Sequence, residues 1–193
     1  MNLVCYPSYC AGALVCDLMN NKTSKIGNGP VDNPESNFFK INCIGVYVQK
    51  VYDRKQWDKI FNTYNSIEWS KNSWVGTHVH PSAIHNLHLF DKVINITDIK
   101  KISKLYRFLR LVNIEESFKD DRYMPSLIKQ LKDTFFDHSS CINIEFDDIV
   151  HGRFVSDFNL NLEHFENWKS KNPWLYNMDE YLVGKFNKMF EEN

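Results

Sequence analysis

The chain opens on a short apolar run, Leu3-Val4-Cys5-Tyr6, which Pro7-Ser8 breaks and which small residues, Ala11-Gly12-Ala13, connect to a second apolar stretch ending at Met19. This pattern predicts a buried strand, a tight turn and a helix, the unit that opens many α/β domains. Small side chains at 11–13 let backbone N–H groups approach an anion at the helix start, so Ser8, Tyr9, Cys10, Ala11, Gly12, Ala13 and Leu14 are candidate anion-binding positions. The turn is not a Walker A loop. Gly12 is followed by Ala13 and Leu14, with no lysine to reach a transferred phosphate and no Ser or Thr after it to hold magnesium, which disfavours an ordinary ATPase or kinase. A strand, turn and helix with one glycine also opens α/β folds that bind nothing.

A length of 193 residues fits one domain, spanning 1–193, with a single core. Hydrophobic residues at 43% and aromatics at 15% are too rich for disorder. No run reaches the roughly 18 apolar residues of a membrane helix, and the start lacks the basic-then-apolar pattern of a secretion signal. The expectation is a soluble, cytoplasmic protein with no membrane partner. Net charge is −1, so nothing global points to nucleic acid, and any anion site must be built locally. Five cysteines (Cys5, Cys10, Cys16, Cys43, Cys141) show no CxxC spacing and read as reduced core thiols. Cys10 stands apart, because a helix N-terminus lowers a thiol pKa.

Beyond the first helix, residues 20–36 are polar and turn-rich and read as a loop. Ile41–Val51 is a strand candidate, and Trp57, Ile60, Phe61 and Tyr64 fall on one face of a helix. Further strands are expected at Trp74–Val79, Lys92–Thr97 and Cys141–Phe146. Between the last two, Ile99, Ile102, Leu105, Tyr106 and Leu109 describe a helix whose opposite face holds Lys100, Lys101, Lys104, Arg107 and Arg110; Pro125–Phe136 is another amphipathic helix. The last forty residues read as a helical tail. Short apolar runs alternating with helices imply a three-layer α/β fold with a mostly parallel central sheet.

Four segments, in this order and spacing, resemble the sulfotransferase family. Cys5-Tyr6-Pro7-Ser8 looks like its Tyr-Pro-Lys-Ser-Gly loop, Gly76-Thr77-His78-Val79-His80-Pro81 like its Lys-Thr-His-Leu-Pro strand end, Val93 to Ser103 like the strand and helix that supply a serine to the donor, and Glu145-Phe146-Asp147-Asp148-Ile149 like its late Tyr-Glu-Asp-Leu segment. The resemblance implies a P-loop nucleotide-kinase-like fold and 3′-phosphoadenosine 5′-phosphosulfate as co-substrate. It also implies sulfuryl transfer to a hydroxyl or amine on a small-molecule or glycan acceptor. On it, Ser103 binds the 3′-phosphate, with Arg107 or Arg110 nearby.

An imidazole with a pKa near 6.5 can take the acceptor's proton at neutral pH, which makes His78 the candidate catalytic base. Ser8 stands where the family loop carries its lysine, Gly76 where a lysine precedes the Thr-His pair, and Thr97-Asp98 where an arginine follows the strand. A catalytically degenerate binding domain is therefore the alternative. A third class is a metal enzyme built on His78, His80, His85 and His88 with Asp91; their spacing matches no compact zinc site, and no metal ligand is assigned.

Overall fold

The computed structural model describes residues 2–19, 74–78, 80–84, 87–115, 118, 121–123, 126–127, 129, 131 and 136–191. The expected strand at 41–51 and helix around Trp57–Tyr64 lie outside the described residues. Four strands form one open sheet: β1 (Asn2–Cys5), β2 (Trp74–Thr77), β3 (Val93–Thr97) and β4 (Ile142–Glu145), in the order β2-β1-β3-β4. The sheet is all-parallel and accompanied by helices, so the α/β class expected from the sequence is present. Every residue of β1 and β3 is buried, the signature of parallel strands covered on both faces. That is why Leu-Val-Cys and Val-Ile-Asn-Ile read as continuous rather than alternating runs.

The described residues fall into two compact units, one made of residues 1–96 and 137–143, the other of 97–136 and 144–193. In the first unit β1 lies between two parallel neighbours, with Asn2 opposite Trp74 and Leu3 opposite Val93. Helix α1 (Gly12–Met19) returns from the end of β1 and packs on β1 and β2 through Leu14, Val15, Cys16 and Leu18. Single helical turns at Pro81–Ala83 and Leu87–Leu89 then lead toward β3.

The second unit centres on helix α2 (Lys101–Ile114), with α3 (Phe146–Val150), α4 (Arg153–Asp157), α5 (Leu162–Ser170) and α6 (Glu180–Glu191). Helix α2 packs against α3, α6 and the turn at Pro173–Leu175, and Phe108 meets Phe186 with ring centroids 5.5 Å apart. Gly152 at φ 73° separates α3 from α4, a left-handed hinge suited to a residue without a side chain. Helix α2 departs from its expected amphipathic split. Arg107, placed by periodicity on the solvated face, is 2% exposed, while Ile99 just ahead of the helix is 39% exposed. The reason is an ion pair: Arg107 Nη1 lies 2.9 Å from Asp98 Oδ2, and both groups are buried.

Candidate functional site

Cys5 ends β1, and the Tyr6 N–H still donates to the Thr77 carbonyl at 3.0 Å, so the chain leaves the sheet at its carboxyl edge, where open α/β sheets hold ligands. Pro7 and Cys10 then close a turn, with the Cys10 N–H donating to the Pro7 carbonyl at 3.2 Å. Tyr9 at φ 71° and Ala11 at φ 55° take left-handed conformations that residues with a Cβ rarely adopt. Strain of this kind gathers at functional turns. The first α1 hydrogen bond runs from the Val15 N–H to the Ala11 carbonyl at 3.1 Å, so the N–H groups of Gly12, Ala13 and Leu14 have no acceptor within the helix.

The turn is lined more closely than small residues alone suggest. A Cβ on Gly12 would fall on Cγ, Cδ1 and Cδ2 of Tyr6, whose ring lies directly against that glycine. Ser8 and Tyr9 are half-buried, Cys10, Ala11, Gly12 and Leu14 are buried, and Ala13 is exposed. Burial pushes the Tyr6 hydroxyl, and the Cys5 and Cys16 thiols behind it, well above their usual pKa values. These groups stay neutral, so the turn brings no charge of its own to a ligand from them.

His78 follows β2 directly and is half-buried beside the turn. Its Nδ1 lies 3.2 Å from the Tyr6 carbonyl, and its ring meets the Tyr6 ring edge-on at 4.5 Å between centroids. A carbonyl only accepts, so this contact keeps the proton on Nδ1 and makes Nε2 the basic nitrogen. Candidate loop and candidate base are thus brought together. Of the other histidines, His80 bonds through Nδ1 with Ser82, His88 is exposed, and His85 lies outside the described residues. Among the described residues no group of three or more His, Cys, Asp or Glu is placed to hold a metal ion.

Ser103, Arg107 and Arg110 belong to the second unit, and all three engage groups of that unit. Ser103 is fully buried; its hydroxyl is 2.6 Å from Glu145 Oε2 and 3.3 Å from Asp147 Oδ1 and accepts from the Asp147 N–H at 3.2 Å. Glu145 also accepts from the Thr97 hydroxyl at 2.9 Å, the Ile99 N–H at 3.2 Å and the Lys100 N–H at 3.4 Å. A carboxylate of the chain therefore sits at the N-terminus of α2, where an anion is favoured. Arg107 pairs with Asp98, and the Arg110 guanidinium lies 5.6 Å over the Trp168 ring. Sequence reasoning missed Glu145 and Asp98 as partners. Their signal was faint: each is an acidic residue at the end of an apolar strand, Glu145 its last residue and Asp98 the one after, with a helix start close by.

The chain matches no family model, and no curated protein or solved structure is significantly similar to it. Among the described residues no helix is long and apolar enough to cross a membrane.

Proposed function

We propose that the turn after β1, with His78 beside it, is the site of a sulfotransferase-like group transfer from an anionic donor, such as 3′-phosphoadenosine 5′-phosphosulfate, to a hydroxyl or amine acceptor. One observation carries the reading: an imidazole whose proton is held on Nδ1 by the Tyr6 carbonyl stands next to a strained turn and helix start at the carboxyl edge of a parallel sheet. In the transfer the acceptor's proton goes to His78 Nε2 as the new S–O bond forms, and the bond from sulfur to the leaving phosphate breaks with its electron pair on that phosphate. The N–H groups of Gly12, Ala13 and Leu14 meet that developing charge in place of the absent loop lysine. Tyr6 must yield some room at Gly12 for the phosphate to reach them.

A second reading, a binding domain without turnover, is favoured by the engagement of Ser103 with Glu145 and of Arg107 with Asp98. Titration with adenosine 3′,5′-bisphosphate tests both. Binding that survives His78→Ala, with turnover falling by about a hundredfold or more, supports the transferase. Binding without turnover in the wild type leaves the second reading, and the absence of binding at millimolar ligand overturns both.

A further inference from the structure

At the amino-terminal ends of β3 and β4, away from the turn after β1, the first unit holds a cavity of about 620 Å³ lined by His88, Asp91 and Lys92 on one side and Ser139, Ser140 and Cys141 on the other. Its volume is that of an ordinary small-molecule site. Cys141 is half-buried, whereas Cys5, Cys10 and Cys16 are buried. Its Sγ lies 3.6 Å from His138 Nδ1, and the Ser140 N–H points at the same nitrogen from 3.3 Å. An amide only donates, so Nδ1 is the unprotonated nitrogen of that ring and stands ready to receive the thiol's proton.

We propose that Cys141 and His138 form a thiol modification site that exchanges with small zwitterionic disulfides of the glutathione type. The Cys141 S–H proton passes to His138 Nδ1, the sulfur attacks one sulfur of the disulfide, and the S–S bond breaks with its electron pair on the departing thiolate, which takes up a proton. The product is a mixed disulfide at Cys141, with no net oxidant beyond the disulfide itself. Lys92 and Asp91 on the cavity wall give the carboxylates and the ammonium group of such a ligand one partner each.

Burial pushes the Cys141 thiol up to about 11, so at neutral pH it rests protonated and depends on its neighbour to react. The groups facing the pair are Cys5 from β1, His80 beside His138, Asp137 through Asn143, and His88, Asp91 and Lys92 across the cavity. A proton acceptor 3.6 Å from the sulfur gives the thiol a route to thiolate that does not draw on hydroxide. The exchange rate should therefore rise less steeply with pH than that of a thiol acting alone, which gains about tenfold per pH unit below its own pKa.

The test exposes the full chain to glutathione disulfide and follows mixed-disulfide formation by peptide mass mapping across pH 6–9. Cys141 should be labelled ahead of the buried Cys5, Cys10 and Cys16. His138→Ala should slow labelling by about tenfold at pH 7 and by less toward pH 9, where hydroxide deprotonates the thiol without help. Lys92→Glu should move the preference from glutathione disulfide toward the dicationic disulfide cystamine. Circular dichroism spectra matching the wild type confirm that each variant folds. Labelling of Cys5, Cys10 or Cys16 ahead of Cys141, or a His138→Ala profile that superimposes on the wild type, overturns the proposal. A disulfide preference unchanged by Lys92→Glu overturns the assignment of the cavity as the ligand's seat.

Discussion

Replacing Glu145 by alanine tests whether the N-terminus of α2 is held by an internal anion. The variant loses a 2.6 Å bond from Ser103 and a 2.9 Å bond from Thr97, together with longer ones at 3.2 and 3.4 Å from the Ile99 and Lys100 amides. Two short hydrogen bonds to a charged acceptor contribute about 1.5–3 kcal/mol each, less for a side chain that is half-exposed. The favourable interaction with the helix dipole adds roughly 0.5–1 kcal/mol. Thr97 retains a weaker partner in the Ile144 carbonyl at 3.4 Å, and Ser103 can turn to Asp147, which returns part of the loss. The expected net destabilisation is about 3 kcal/mol for Glu145→Ala, and about half that for Glu145→Gln, which keeps one accepting oxygen but loses the charge. Urea unfolding followed by circular dichroism measures both. Sulfate should stabilise Glu145→Ala more than the wild type, compared with sodium chloride at equal ionic strength, because the vacated amides and hydroxyls then face an external anion. A loss below about 0.5 kcal/mol, or a sulfate response equal to that of the wild type, would refute the reasoning.

Three further outcomes follow from the described contacts. Gly12→Ala, which an open helix would welcome, should instead destabilise by about 1–3 kcal/mol because its methyl falls on the Tyr6 ring; a neutral or stabilising result in denaturant unfolding contradicts that packing. Arg107→Met should cost about 3–5 kcal/mol by leaving the buried Asp98 charge without its guanidinium, and adding Asp98→Leu should recover most of it; a single-variant loss under about 1 kcal/mol argues that the pair is dispensable. Desolvation holds the His80 and His164 imidazoles below the usual 6.5, with His138 and Lys171 adding to it, so the unfolded chain binds those protons more readily than the folded one. Their contribution is complete above about pH 6.5 and is lost as pH falls below it, so His80→Asn with His164→Asn should flatten the decline in stability toward pH 5.

Much of the sheet was legible because a strand buried on both faces has an unmistakable composition. Leu3 to Cys5 and Val93 to Thr97 need no knowledge of their neighbours to read as strands, and the small residues after Pro7 mark the turn equally well. Ile142 to Glu145, whose first two residues are exposed, is read from its β-branched residues instead. What periodicity cannot show is a charge stabilised by a distant partner. Arg107 reads as solvated until Asp98 is placed beside it, and Ser103 reads as available until Glu145 arrives from a strand more than forty residues later. The same blindness applies to Tyr6: its apolar character predicts burial, but not that its ring would lie against Gly12. That His78 stands at a strand end was legible, whereas the Tyr6 carbonyl beside its Nδ1 comes from just past a strand more than seventy residues earlier and leaves no trace in the local pattern.

The position of β1 has a consequence for how the chain comes to fold. Its partners begin at Trp74 and Val93, so one of its edges stays open for some seventy residues of synthesis and the other for some ninety. At a synthesis rate of about 5–20 residues per second, the longer interval lasts roughly five to twenty seconds. For most of it the ribosome displays an apolar segment with two open hydrogen-bonding borders, and a strand buried at every position in the finished molecule is meanwhile an invitation to a chaperone.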